Sequence, residues 1–240
     1  MNTRAIRASG IDWNEFDAVI LDVDGTLFDH LAMRPSMAAA LLRHVLTQRR
    51  GWRDLFVILV FRRARTRLAI AEAGEIGHRE FEITSESTGV SIAEVEKIVA
   101  RWLYQEPLSV MNQHIFPGVD AFLTMLKERG IRTGVFSDYP AEDKLRTLGL
   151  SVDVVRDASA TDIARLKPNP TGFLKVAELL GVSPSRCLII GDRDDRDGAA
   201  AKRGGFVFLK RTSGRQQSGQ YQFNCYHDLA RELKNMRPVK

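Results

Sequence analysis

Two aspartates spaced by one residue, Asp22 and Asp24, follow the apolar run of "AVILDVDGTLFDH" and lead at once into Gly25 and Thr26. Other polar groups stand behind later apolar runs: Ser137 and Asp138 behind "IRTGVF", Lys167 in "RLKPNP", and Asp192 and Asp197 in "GDRDDRD" behind "CLII". Singly, each has an ordinary explanation as a helix cap, a solvated loop lysine or an acidic helix start. As an ordered set they describe one chemistry. Magnesium, a hard cation, takes one or two carboxylates together with substrate phosphate, and Asp22 and Asp192 could supply them. A carboxylate is a competent nucleophile towards a phosphoryl group, and a lysine with a hydroxyl balances charge on the transferring oxygens. Paired carboxylates raise one another's proton affinity, an effect that a bound cation reverses.

Bringing these groups together requires strands that end side by side. "DAVILDVD" reads as a strand buried on both faces, because its centre is continuously apolar. After Pro117 and Gly118 the patterns alternate: a helix in "VDAFLTMLKERG" ending on Gly130, a strand in "IRTGVFSD", a helix in "AEDKLRTLGL" and a strand in "VDVVRDA". A helix in "PTGFLKVAELLG" follows, with proline first and glycine last, then a strand in "RCLIIGD", a helix in "DGAAAKRGG" and a strand in "FVFLK". "RTSGRQQSGQYQ" reads as a loop and Tyr226 to Met236 as a closing helix. Such alternation predicts a parallel sheet covered on both faces, with its ligand crevice beyond the carboxyl ends of the strands. From Arg34 to Tyr104 the periodicity is helical throughout, and a last helix starts at Ser91 with Glu94 three residues on, a capping box. The predicted fold class is α/β, a doubly wound parallel sheet with an inserted all-helical domain. Residues 15–30 and 110–240 form the core, and 31–109 the insert.

With these motifs in order, the chain resembles the haloacid dehalogenase-like (HAD) superfamily. "DVDGT" matches the nucleophile motif, Ser137 the hydroxyl motif, Lys167 in "KPNP" the lysine motif and "GDRDDRD" the acidic motif. The resemblance covers residues 15–28 and 115–210, and the insert occupies the place of the family's helical cap. It implies a magnesium-dependent phosphatase hydrolysing a small phosphomonoester. Asp22 would attack phosphorus to give an aspartyl-phosphate, and Asp24 would protonate the leaving oxygen and then activate water. Asp22, the Asp24 backbone carbonyl and Asp192 would hold magnesium, while Ser137 and Lys167 would hold the phosphoryl oxygens. Thr26 would support the turn after Gly25, and Asp197 would orient Lys167 or metal-bound water. Asp138 stands where the family often has asparagine and His30 where a small hydroxyl residue is common, and both bear on the substrate. Arg193 and Arg196 read as surface partners of the acidic motif. A phosphomutase using the same intermediate is the alternative enzyme. A HAD-like binding module is the alternative non-enzyme, but no catalytic aspartate or lysine is missing. Dehalogenation has no need of Asp24.

At 240 residues, 44% hydrophobic and 27% charged, the chain is long enough to bury a core and unlike disordered or fibrous sequences. Its longest apolar run, "LFVILVF", falls far short of the roughly 20 residues that span a bilayer, and the start lacks a secretory apolar centre, so a cytoplasmic protein is expected. Cys187 and Cys225 read as a reduced, non-catalytic pair. The net charge of +5 is local, because eight arginines stand between Arg43 and Arg67 against the single acid Asp54. They could read the remote part of an anionic substrate, form a solvated helix face, or meet an anionic membrane surface. With few interleaved aromatics and no recognition motif, nucleic acid is not an expected partner. Membrane contact is not expected either, and the oligomeric state is unknown from sequence. The expected partner is a small phosphorylated metabolite.

Overall fold

The structure, a computed structural model, describes residues 9–71, 76–213 and 221–236. Six parallel strands form one sheet: β1 (Ala18–Leu21), β2 (Arg132–Ser137), β3 (Val154–Asp157), β4 (Cys187–Gly191), β5 (Val207–Arg211) and β6 (Gln222–Phe223), in the order β3-β2-β1-β4-β5-β6. β1 is central, and its four residues are fully buried. Val19 and Leu21 face one core layer with Phe122, Leu126 and Tyr226, while Ala18 and Ile20 face a second with Phe136, Phe173 and Val176. This is why the run is continuously apolar: helices cover both sides.

Between β1 and β2 lie α1 (Arg34–Thr47), α2 (Gly51–Ile70), α3 (Arg79–Thr88), α4 (Ile92–Val99) and the short α5 (Leu108–Met111). The insert has its own core, built on Val57, Ile58, Phe61, Val95, Val99 and Trp102. The remaining helices are α6 (Val119–Glu128), α7 (Glu142–Leu148), α8 (Thr171–Leu180), α9 (Ala199–Gly204) and α10 (Tyr226–Lys234). Among the described residues no helix is long and apolar enough to cross a membrane, and both cysteines are free. Burial within β4 pushes the Cys187 thiol up to about 11, which leaves it protonated and inert at neutral pH.

Three features depart from the sequence reading. The stretch read as a loop, residues 211–222, runs at its end into β6, whose Gln222 and Phe223 pair with Lys210 and Arg211; residues 214–220 of that stretch lie outside the described residues. A two-residue edge strand is too short for a periodic pattern to register. The Ser91 side chain makes no capping hydrogen bond, and Glu94 instead accepts from the Arg53 guanidinium at 2.8 Å. An ion pair from a neighbouring helix thus claims the carboxylate that the local pattern assigned to the cap. Two π-type turns, Ala100–Gln105 and Asp194–Gly198, interrupt what read as continuous helix or loop, and both deliver residues to the site, where such turns are frequent.

Candidate active site

The parallel register sets the floor of the site. Leu21 pairs with Ile190, and the Asp22 N–H extends the ladder by donating to the Ile190 carbonyl at 2.8 Å. Asp22 and Asp192 therefore leave neighbouring strand ends together. The turn after β1 is pinned by Tyr226 of α10, whose hydroxyl donates to the Thr26 carbonyl at 2.9 Å, and the Thr26 hydroxyl donates to Asp22 Oδ2 at 3.1 Å. Gly25 has φ +90°, and a Cβ there would lie 2.3 Å from Asp192 Oδ2. Gly191 makes equal room for Asp197, whose side-chain atoms would lie 2.4 to 2.5 Å from an added Cβ. Both glycines let a carboxylate approach the backbone where any side chain would exclude it.

Lys167 comes in from the loop after β3. Its ammonium donates to Asp22 Oδ1 and, at 2.7 Å, to Asp197 Oδ1, and all three residues are buried. Asp22, Asp192 and Asp197 each offer an oxygen, and these oxygens lie within 4.8 Å of one another. Burial raises the proton affinity of all three carboxylates; Asp192 is pushed up to about 6, by burial first and then by the Asp22 charge. Burial alone would lower Lys167, but the carboxylates of Asp197 and Asp22 outweigh it and hold the ammonium form. One lysine among three crowded carboxylates leaves an excess of negative charge in a poorly solvated place. The geometry thus brings together Asp22, Asp192, Asp197, Lys167 and Thr26. The Asp24 side chain has a cation of its own: its two oxygens accept from Lys144 of α7 at 2.7 and 2.5 Å. Ser137 is fully buried, and its Oγ accepts from the Tyr139 N–H at 3.2 Å.

Above this floor is a cavity of about 670 Å³ between the strand ends and the insert, lined by Asp22, Asp24, Asp192 and Lys167 below and by α1, α2 and the Trp102 turn above. His30 also lines it, and burial lowers its proton affinity. Sequence reasoning missed the residues that tie roof to floor. Arg65 of α2 is buried, donates to Glu80 of α3 and to the Asp138 carbonyl, and stacks over the Tyr139 ring at 4.5 Å. Asp138 in turn accepts from the Lys167 backbone N–H at 3.0 Å, which gives its departure from the family's asparagine a structural place. Arg196 donates to the Lys167 carbonyl at 2.5 Å, whereas Arg193 pairs with exposed Asp195. A signal for both missed cations exists. Lys144 falls on the buried stripe Ala141, Lys144, Leu145, Leu148, and Arg65 on the stripe Ile58, Phe61, Arg65, Leu68. A charge at helical spacing among core positions requires an internal partner.

A family model described as haloacid dehalogenase-like hydrolase matches residues 16–205. The chain belongs to that family. It is 26% identical over 218 residues to the glyceraldehyde 3-phosphate phosphatase of Methanopyrus kandleri, covering 83% of this chain and 85% of that one. It is 34% identical over 134 residues to the Bacillus subtilis protein YhcW, a match that spans 54% of this HAD-like chain and 59% of the relative. In structure it resembles a HAD phosphatase from Thermococcus onnurineus, with a TM-score of 0.61 at 20% identity over 93% of this chain and 100% of the other. At that identity the likeness speaks to the fold.

Proposed function

We propose that this HAD-like hydrolase is a magnesium-dependent phosphatase that cleaves a phosphomonoester through an aspartyl-phosphate. The observation that carries the reading is the convergence of Asp22, Asp192 and Asp197 around Lys167 on the floor of the cavity. The donor set fits a hard cation, since it is all oxygen and carries unbalanced buried charge. Asp22, Asp192 and the Asp24 backbone carbonyl would hold magnesium, which when bound supplies positive charge against the phosphoryl oxygens.

In this reading an oxygen of Asp22 bonds to phosphorus as the bond from phosphorus to the alcohol oxygen breaks, and Asp24 gives that oxygen its proton. Asp24, then a carboxylate, takes a proton from water, whose oxygen displaces Asp22 and releases inorganic phosphate. Thr26 steadies the Asp22 carboxylate, and Lys144 fixes the orientation of Asp24. Lys167, held by Asp197, and Ser137 act on the phosphoryl oxygens. Residues 15–30 and 110–240 serve as the catalytic core and 31–109 as the cap that encloses the alcohol half. The test is release of inorganic phosphate from p-nitrophenyl phosphate and a panel of phosphorylated metabolites, with magnesium and with EDTA. Activity in magnesium that EDTA abolishes is expected. Full activity in metal-free buffer would sink the mechanism.

A further inference from the structure

The floor of the cavity is ionic, whereas its roof is predominantly apolar. The insert lines it with Met37 and Leu41 from α1, Leu55 and Leu59 from α2, and Trp102 and Leu103 from the π-type turn. The polar side chains that α1 and α2 add are Arg34, Arg62 and Thr66, all exposed. Of the eight clustered arginines, Arg62 alone is among the lining residues, so the cluster does not form a charged wall. An alcohol half rich in hydroxyls would set its groups against a wall with few partners, and each buried hydroxyl left unpaired weakens binding. The volume, about 670 Å³, suits a drug-sized ligand of the kind held in cavities of roughly 300–1,000 Å³, rather than a three-carbon ester.

The apolar lining also continues outward. Along α2 the lining positions 55, 59, 62 and 66 adjoin the stripe of Trp52, Phe56, Leu59 and Arg63, because residues three and four apart neighbour one another on a helix. Trp52 is 69%, Phe56 50% and Leu59 45% exposed, and Leu42 on α1 is 58% exposed. A ligand longer than the cavity would therefore meet apolar surface beyond it. The three methionines of the lining, Met33, Met37 and Met111, adapt to irregular apolar shapes.

We infer that the substrate, within the phosphatase reading proposed above, is a phosphomonoester whose alcohol half is bulky and predominantly apolar, an alkyl, prenyl or aryl body rather than a sugar or hydroxy acid. The test is a series of n-alkyl monophosphates from ethyl to octyl, with glycerol 3-phosphate as the hydroxylated counterpart of propyl phosphate. Hydrolysis is measured on the native protein, and binding by calorimetry on Asp22→Asn, both with magnesium. Affinity and kcat/KM should rise with chain length by up to about fourfold per methylene, propyl phosphate should be preferred over glycerol 3-phosphate, and Leu59→Gln should flatten the slope. A series flat in affinity, or preference for the glycerol ester, overturns the inference whether or not the esters are cleaved. Affinity that rises with chain length while no ester is cleaved would support the apolar subsite and sink the phosphatase reading.

Discussion

The floor and the roof of the cavity are built on opposite principles. On the floor, Asp22, Lys167 and Asp197 are almost wholly buried and are held by one another; such ionic contacts add little net stability but are costly to break singly. The roof draws its cohesion from an apolar core of its own and leaves its arginines mostly in solvent. The difference teaches where each half of an esterase-like reaction is specified. Bond breaking depends on residue types that few substitutions can replace, whereas the shape admitted depends on packing that many sequences satisfy.

The sharpest way to break this division is Asp22→Asn, which replaces the proposed nucleophile with a near-isosteric group. Turnover should fall by about 10⁴-fold or more, as when a covalent catalyst is lost, with the circular dichroism spectrum retained. Near-normal turnover would place the chemistry elsewhere. Asp24→Ala should cost roughly 10² to 10⁴ in kcat, and less for a nitrophenyl ester, whose leaving group needs no proton. An equal loss for alkyl and nitrophenyl esters would remove Asp24 from the proton-transfer role.

Arg65→Met tests the joint between the two regions. It leaves buried Glu80 without its cation and should destabilise the fold by about 3–5 kcal/mol in chemical denaturation; a loss below about 1 kcal/mol would mean that other contacts seat the insert. The smallest effect concerns pH. Burial raises Asp22, and Asp192 to about 6, above the unfolded value of about 4. Without a cation the folded state then binds more protons than the unfolded chain between those values, so these groups make stability fall as pH rises through about 6. Magnesium opposes that fall, so the gain in Tm on replacing EDTA with magnesium should grow from pH 5 to pH 7.5. A gain that shrinks over this range would contradict the buried acidic floor.

The legibility of the two regions in the sequence follows the same line. Asp22 and Asp192 could be read because each stands at a strand end that the apolar pattern marks, Asp197 and Lys167 because each follows a marked strand within a short polar motif, and all four because their chemistry requires those residue types. The sheet was legible from alternating strand and helix signals, apart from β6, whose two residues carry no period. The roof was not legible, because whether Leu55 lines a cavity or a core depends on how the insert helices pack against one another and over the strand ends, which no local pattern encodes. Arg65 and Lys144 lay between these cases: their helical register marked them as buried, but their partners, the Asp138 carbonyl and Asp24, are distant in sequence or on another element.

The hydrogen bond from Tyr226 to the Thr26 carbonyl joins residues 200 positions apart, and Lys167 reaches Asp22 across 145. At a synthesis rate of roughly 5–20 residues per second, Asp22 emerges about 10–40 seconds before the tyrosine that pins its turn. Until Lys167 follows, 145 residues later, it is an ordinary hydrated carboxylate, without the lysine or the Asp192 and Asp197 acids that define its later surroundings. The surroundings of Asp22 are in this sense a property of the finished chain: the nascent protein carries the carboxylate early and completes its setting last.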